Sequence, residues 1–426
     1  MFQTIANAWK IPDLRKKILY TIGMLIIFRF GSFVPVPFLD RAAVASMLNG
    51  SSLLDFMNVF SGGAFEQATI FAMSISPYIN ASIIMQLLTV AIPALERISK
   101  EGEEGRKKIA QWSRYLTVVL GLIQATGLYF TLRNNYHAVT DSSFIAGLTI
   151  ILSFTAGTAF LMWLGEQINE KGIGNGISLL IFGGIVSRGP QLVQAIIEYN
   201  KAQVLNIFTT IILLVVAIVV VAFVVSMTNA ERKIPVQYSK RVVGRKMYGG
   251  QSTSIPIKVA SAGVMPIIFA MSILAFPSTI AGFFGADITK VTGFWGAILK
   301  AFTPSHWVYG ILYFLLILFF TYFYTAIQFN PIEMANNMKK NGGFIPGIRP
   351  GRTTSEFINK VLSRITIVGA VFLGLVAVLP IFMSQFAGIN ISIGGTSLLI
   401  VVGVALETVK AMETQMIMRH YKGFLE

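Results

Sequence analysis

The sequence of 426 residues contains no cysteine and only three histidines. Without cysteine, neither a disulfide framework nor a thiolate metal site can form. His137, His306 and His420 are scattered and lack the spacing of a metal site. The chain also lacks the GxxxxGK[ST] loop that binds nucleoside triphosphates. We therefore expect no metal, no cofactor and no enzymatic activity, so that any ATP- or GTP-driven work is done by a partner.

Charged residues are scarce as well: they make up 12% of the chain, whereas 54% is hydrophobic and the mean hydropathy is +0.69. A soluble protein carries about twice this share of charge. Apolar runs such as 117–132 and 208–227 are long and do not alternate, which predicts membrane-spanning helices and excludes a β-barrel. We predict ten spans, at about 18–37, 68–92, 115–132, 148–165, 177–196, 206–227, 259–281, 307–328, 365–384 and 394–411.

The 34 Lys and Arg residues orient these spans. With the N-terminus inside, 27 of them fall in cytoplasmic segments and six in outer segments, and Arg29 lies within the first span. Loops rich in Lys and Arg stay in the cytoplasm, so both termini are predicted to be cytoplasmic. The basic N-terminal stretch has no short apolar region with a small-residue cleavage site, so we expect the first span to be an uncleaved anchor.

Ten spans divide into two sets of five, and because five is odd the second set is inverted. We expect an N-terminal half at 1–203 and a C-terminal half at 204–426. The second span of each half carries a proline beside small or polar residues, in SISPYINAS around Pro77 and in SAGVMPIIFAMS around Pro266. Interrupted helices at matching positions indicate where something passes or binds. A proline kink without a function is the alternative.

The predicted spans contain almost no ionisable residues away from their ends. Arg29 lies within the first span, and a snorkelling side chain or a structural pair would explain it. Ion-coupled transporters keep ionisable residues near the midplane, so a secondary transporter for a small solute fits the sequence less well. A purely structural docking platform would leave the interrupted spans unexplained. An apolar constriction suits a passage that excludes water and ions by dewetting and yields to a bulky passenger.

Two long basic loops, 228–258 and 329–364, are punctuated by glycine and proline. Charge that sets topology and attracts anionic lipid accounts for their sign. Their length and turns favour docking of a large acidic partner, either a protein or RNA phosphate.

Five stretches occur along the chain in the order LLDFMNVFSGGAFEQATIFAMSISPYINASIIMQLL, GIGNGISLLIFGGIV, YGGQSTSIPIKVASAGVMPIIFA, NPIEMANNMKKNGGFIPGIRPGRTT and GGTSLLIVVGVALET. They resemble the plug and second span, the fifth span, the entry to the seventh span, the loop before the ninth and the tenth span of the SecY family. That family comprises the pore subunits of bacterial protein-translocation channels. The resemblance covers essentially the whole chain, except 282–306 and the tail after Arg419. It implies an all-α polytopic membrane protein with ten transmembrane helices in two inverted halves around a central pore.

The resemblance also implies roles for particular residues. The constriction ring would be Ile75, Ile79, Ile177, Ile181, Ile268 and Ile400, of which the first two pairs have the four-residue spacing of one helix face. The plug would be the segment 53–63, with Leu53, Leu54, Phe56, Met57, Phe60, Ser61, Gly62 and Gly63. The second, third, seventh and eighth spans would form a lateral gate, with Gln86 and Gln124 on two of them. Partner docking would use Lys240, Arg241, Arg245, Lys246 and Arg349.

A member of this family is expected to conduct unfolded preproteins across the plasma (inner) membrane and to release transmembrane segments sideways into lipid. The expected partners are the small subunits SecE and SecG, the ATPase SecA, ribosomes, signal peptides and anionic lipid.

Overall fold

A computed structural model describes residues 2–48, 58, 61–134, 136–141, 143–201, 207–238, 241–243, 246–248, 252–260, 262–283, 293, 296, 301–302, 307–387 and 395–422. In the first half the helices are α1 (Phe2–Lys10), α2 (Pro12–Gly31), α3 (Arg41–Leu48), α4 (Ser76–Ala91), α5 (Pro93–Lys100), α6 (Glu103–Asn134), α7 (Phe144–Lys171), α8 (Gly176–Ser187) and α9 (Gly189–Lys201). In the second half they are α10 (Ile207–Asn229), α11 (Met265–Phe283), α12 (Trp307–Gln328), α13 (Pro331–Lys340), α14 (Arg352–Ala387) and α15 (Gly395–Lys422).

Six helices among the described residues are long and apolar enough to cross a membrane. The number is seven if α4 and α5, which meet at a bend of 101°, count as one broken span. The predicted first, seventh and tenth spans correspond to α2, α11 and α15, which do not meet this criterion of length and apolarity. The structure therefore supports a multi-pass membrane protein, and the count of ten spans stays a prediction.

The predicted second span is wrong at its start, because residues 68–75 are not helical and α4 begins only at Ser76. Pro77 explains the boundary. It lies in the first turn of α4, where its missing N–H leaves no helical hydrogen bond unmade. The chain before it forms a series of turns that packs inside the protein.

Part of the first basic loop forms strands, so the chain is mostly helical but also contains short β-strands. The strands are β1 (Glu231–Tyr238), β2 (Arg241–Val243), β3 (Lys246–Tyr248), β4 (Ser252–Lys258) and β5 (Gly343–Phe344). Strand β1 pairs antiparallel with β4, placing Ile234 opposite Ile255, and β5 from the second basic loop pairs with the other edge of β1. The alternating side chains Ile234 and Val236 are buried on one face of β1. They pack against Met338 and Leu362, so the two loops share one small apolar core.

A large apolar core lies between the two halves and takes residues from both. Helix α11 of the second half packs against α4 and α6 of the first. On the other side, α15 packs against α8, and within the second half α12 packs against α11. The halves therefore meet along two seams, one at α11 and one at α15.

Candidate functional site

The chain between Ser61 and Ile75, which we call the turn segment, is irregular but mostly buried. Two backbone hydrogen bonds join it to the chain after α2: Val36 N donates to Ala68 O at 2.9 Å, and Ile70 N donates to Val34 O at 3.1 Å. Irregular backbone at membrane depth is tolerated only where protein or a water-filled cavity surrounds it. Irregular backbone directly before the start of α4 agrees with the prediction of an interrupted span.

Four residues of the turn segment have positive φ. They are Gly62 (68°), Gly63 (87°), Ala68 (50°) and Ser74 (54°). For a residue with a side chain, this conformation costs about 1–2 kcal/mol. Ala68 and Ser74 are both buried, so the surrounding packing holds them there. Strain of this kind concentrates at functional sites.

The predicted ring residues come together in the large core. Ile75, Ile79, Ile181, Ile268 and Ile400 are at most 6% exposed and belong to one continuous apolar cluster. Ile177 is half-buried and packs against that cluster. These residues come from both halves of the chain, on the turn before α4 and on α4, α8, α11 and α15. Their role as a constriction stays a prediction.

The two halves build their interrupted helices in the same way at Ile75 and Val264. In the first half, Tyr78 N and Ile79 N both donate to Ile75 O, at 3.1 Å each. In the second, Ile267 N and Ile268 N donate to Val264 O, at 3.1 and 3.3 Å.

A positive-φ residue precedes each of these acceptors, Ser74 in the first half and Gly263 in the second. A proline follows at the second helical position, Pro77 in α4 and Pro266 in α11. Each of these residues in the first half is separated from its counterpart in the second by the same number of positions. Ile79 and Ile268 have that separation too, so they occupy equivalent positions.

Asn175 caps α8, the helix that carries two of the predicted ring residues, and we did not single it out from the sequence. Its side-chain oxygen accepts hydrogen bonds from Ile177 N (3.1 Å) and Ser178 N (3.3 Å), so it caps α8. The cap satisfies two of the backbone N–H groups that a helix start leaves free. Asn directly before an apolar helical run is a signal that sequence alone contains.

Of the predicted plug, the structure describes Ser61, Gly62, Gly63 and also Asn58. Leu53, Leu54, Phe56, Met57 and Phe60 lie outside the described residues. Asn58 is buried and forms two bonds with Glu66: its amide nitrogen donates to Glu66 Oε2, and its amide oxygen accepts from Glu66 N, each at 3.1 Å. Gly63 N also donates to Asn58 O at 2.9 Å. These bonds close the carboxyl end of the predicted plug into a compact loop. Asn58 and Glu66 are eight positions apart in irregular chain, so no periodicity in the sequence could have predicted the bonds between them.

The predicted gate helices are neighbours in the structure, since α11 contacts α4, α6 and α12. The side-chain oxygen of Gln86 on α4 is buried and has no hydrogen-bond partner among the described residues. Gln124 on α6 is half-buried. The role of both glutamines in a gate stays a prediction.

The predicted docking residues fall into two groups. Lys240 and Arg245 lie outside the described residues, and Arg241 and Lys246 are placed only as backbone in β2 and β3. Arg349 is exposed at a turn between β5 and α14, where Gly347 and Gly351 have φ of 81° and 110°. Thr354 Oγ1 donates to Arg349 O at 2.8 Å. The side chain of Arg349 thus stands on a braced turn beside the shared core of the two loops.

Comparison with known families gives one matching model, that of SecY, over residues 69–409. Curated relatives match along their full length. A protein of Halalkalibacterium halodurans is 48% identical and one of Bacillus subtilis is 47% identical, and each alignment covers 100% of both chains. Both relatives are described as protein translocase subunit SecY.

Solved structures share the fold at lower sequence identity. A chain described as a protein-conducting channel has a TM-score of 0.68 and 19% identity, with 95% of this chain and 93% of that one covered. A SecY structure described by its plug domain, which stabilises the closed state of that channel, has a TM-score of 0.69 and 18% identity over 95% and 92%. Sec61 in a canine ribosome–channel complex has a TM-score of 0.65 and 17% identity over 95% and 93%.

Proposed function

The chain belongs to the SecY family of protein-translocase subunits, and we propose that its pore closes at the isoleucine cluster between the two halves. One observation carries this proposal: buried isoleucines from both halves converge beside two interrupted helices of equivalent design. A narrow ring of branched aliphatic side chains excludes water and ions by dewetting. The same ring has no charge to bind a passing chain, so an unfolded preprotein of any sequence can slide through it.

We propose that transmembrane segments leave sideways through the seam between α11 and the pair α4 and α6. That seam joins the halves at the edge of the core that holds the ring. Parting it would expose the ring to lipid without breaking a helix. The side-chain oxygen of Gln86 is buried and has no partner in the part of the chain that the structure describes, which supports the proposal, because a buried unpaired polar atom weakens the packing of α4.

The segment 53–63 is proposed as the plug of the closed channel. Its described end, Ser61 to Gly63, is buried against the first half and is closed by the bonds between Asn58 and Glu66. Gly62 and Gly63 both hold left-handed backbone angles, which glycine adopts without strain. A segment that ends on two such residues can rotate as a unit about them.

The body formed by β1, β4, β5, α13 and the start of α14 is proposed as the docking platform for SecA and the ribosome. Its own apolar core would let it transmit force as one piece rather than as two loose loops. Arg349 is exposed at its tip, where a guanidinium can form forked hydrogen bonds to carboxylate or phosphate. Two solved neighbours, Sec61 and Ssh1, are described in ribosome complexes. SecE, SecG, signal peptides and anionic lipid complete the proposed partners.

The proposed location is the plasma membrane, with both termini in the cytoplasm. The distribution of Lys and Arg supports this orientation, with 27 residues in the inner segments and six in the outer ones. The role proposed for the subunit is conduction, and the energy for it would come from the docked ATPase or ribosome.

Crosslinking to a stalled chain tests the proposed pore. A photo-crosslinking residue is placed at Ile79, at Ile268, or at Ile218 as control, and a secretory chain is trapped halfway. Ile218 is the same residue type but lies on α10 with 60% of its surface exposed, so it should face lipid. We expect adducts with the trapped chain from positions 79 and 268 and none from 218. Equal adducts from all three, or adducts from 218 alone, would remove the cluster from the path of the passenger.

A further inference from the structure

Arg29 joins the carboxyl end of the proposed plug to the neighbouring helices through polar contacts. It lies in the last turn of α2, and its side chain is half-buried. Its Nη1 donates to Gly62 O at 3.0 Å and to Ser187 Oγ at 3.2 Å. Ser187 in turn donates to Gly184 O at 2.7 Å. One guanidinium therefore joins α2, the plug end and α8.

No acid among the described residues balances the charge of Arg29. None of the ion pairs between described residues includes it. Ser187 is the last residue of α8, where the helix dipole places partial negative charge and favours a cation. The guanidinium carbon also lies 4.6 Å from the centroid of the Phe33 ring, a cation–π distance. Arg29 is thus neither a snorkelling side chain nor a partner in an ion pair within the described part of the chain.

The bond to Gly62 is made to the backbone of a residue that is pressed against α8. A Cβ at Gly62 would lie 2.9 Å from Gly184 Cα and 3.2 Å from Ser187 Oγ, whereas a Cβ at Gly63 would have open space. The plug end therefore approaches α8 closely at Gly62, and the guanidinium donates to the carbonyl oxygen of that same residue. Since the acceptor is a backbone carbonyl, the contact does not depend on the side chains of the plug.

We propose that Arg29 is a latch that holds the plug end against the end of α8, and that the bond to Gly62 must break when the plug moves. This inference rests on the proposed assignment of 53–63 as the plug. When the latch opens, Arg29 keeps its hydrogen bond to Ser187 at the end of α8 and its cation–π contact with the Phe33 ring. Its charge therefore stays balanced, and the bond to Gly62 can form again. The energy of release is then set by one charge-assisted hydrogen bond rather than by exposure of a bare charge.

The test uses a buried thiol as a reporter of plug movement. The chain has no cysteine of its own, and Ser61, at 1% exposure, accepts Cys with little change in size. The rate at which a membrane-impermeant maleimide labels Ser61→Cys then measures how often the plug end leaves its site. In this background we compare Arg29→Met, which removes charge and donors, with Arg133→Met. Arg133 is an exposed arginine at the end of α6 that donates to Tyr129 of its own helix, at 3.1 Å.

We expect Arg29→Met to raise the labelling rate by about tenfold, which corresponds to about 1.4 kcal/mol in the opening equilibrium. Arg133→Met should label at the parental rate. An unchanged rate in Arg29→Met would overturn the latch. If that variant does not fold, Arg29→Gln serves instead, because its polar amide is tolerated at the site but is too short to reach Gly62. A parental rate in Arg29→Gln would overturn the latch equally.

Resting ion conductance of the same channels separates the latch from the plug assignment. Faster labelling with raised conductance supports both. Faster labelling with unchanged conductance supports the latch and shows that 53–63 is not the seal, so the proposed plug would fail while the contact stands.

Discussion

Gly157 of α7 lies directly against the turn segment, so Gly157→Ala tests the packing that holds the ring. A Cβ there would press on the carbonyl oxygen of Ile70 and lie 2.8 Å from its carbonyl carbon. That carbon would have to move by about 0.6 Å to reach the 3.4 Å at which ordinary contact begins, and the carbonyl oxygen, which lies closer to the added methyl group, would have to move further. Backbone cannot swing aside as a flexible side chain can, so the displacement passes along the chain toward Ile75.

Gly121 of α6 provides the matched control. A Cβ there would lie 3.8 Å from Thr155 Cγ2 and 3.9 Å from Pro77 Cβ, both ordinary contacts. Replacing glycine by alanine inside a helix stabilises by about 0.5–1 kcal/mol when the methyl group fits. Overpacking a well-filled core costs about 1–3 kcal/mol. The same chemical change should therefore stabilise the protein at Gly121 and destabilise it at Gly157.

Two measurements on each purified channel decide the matter: thermal unfolding in one detergent, and resting ion conductance in a planar bilayer. We expect Gly157→Ala to unfold at lower temperature than the parent and to leak, and Gly121→Ala to unfold at the parental temperature or above it without leaking. If Gly157→Ala matches the parent in both, the turn segment does not depend on its close approach to α7. If it is destabilised but does not leak, the turn segment does not position the ring.

The remaining predictions concern the ring and the platform. Replacing Ile79 and Ile181 together with serine should hydrate the constriction and raise the resting conductance, whereas Ile218→Ser on the exposed face of α10 should not; an unchanged current in the double variant would remove both residues from the ring. Arg349→Glu should abolish ATPase-driven translocation, although an exposed ion pair alone contributes only about 0–1 kcal/mol. Arg349→Lys should be impaired as well, because lysine keeps the charge but not the forked donors; if lysine supports parental transport, charge alone suffices.

The sequence predicted those features that repeat along it or that depend on composition. The apolar runs predicted most of the membrane helices, and the resemblance to the SecY family, with modest support from the four-residue spacing, singled out Ile75, Ile79, Ile177 and Ile181, which lie in or against the large core. The two prolines predicted interrupted helices at equivalent places. Each of these signals is local, so no knowledge of tertiary contacts was needed to read it.

The turn segment and the Arg29 contacts could not be predicted, for two different reasons. Residues 68–75 are as apolar as a spanning helix. Hydropathy cannot show that the backbone of Ala68 and Ile70 forms hydrogen bonds with Val36 and Val34 instead of within a helix. Arg29 could be identified as unusual, but its acceptors are a backbone carbonyl and a hydroxyl on distant elements. No pairing of opposite charges along the sequence pointed to them. The strands in the first basic loop were missed because charge and glycine there suggested turns, while the alternation at Ile234 and Val236 covers only one short strand.

If the isoleucine cluster is the seal that we propose, the equivalence of the two helix starts would explain how the same seal can open. In each half, a residue with positive φ turns the chain and the next backbone carbonyl accepts two hydrogen bonds. A proline then occupies the second position of the helix, where its missing N–H leaves no helical hydrogen bond unmade. Helices α4 and α11 can therefore begin at these positions without a helical turn before them. The predicted ring residues Ile79 and Ile268 lie in the first turns of α4 and α11, on opposite sides of the seam where these helices meet. Moving α11 away from α4 would then carry Ile268 from Ile79 without unwinding either helix, so the motion that opens the seam to lipid would also widen the ring.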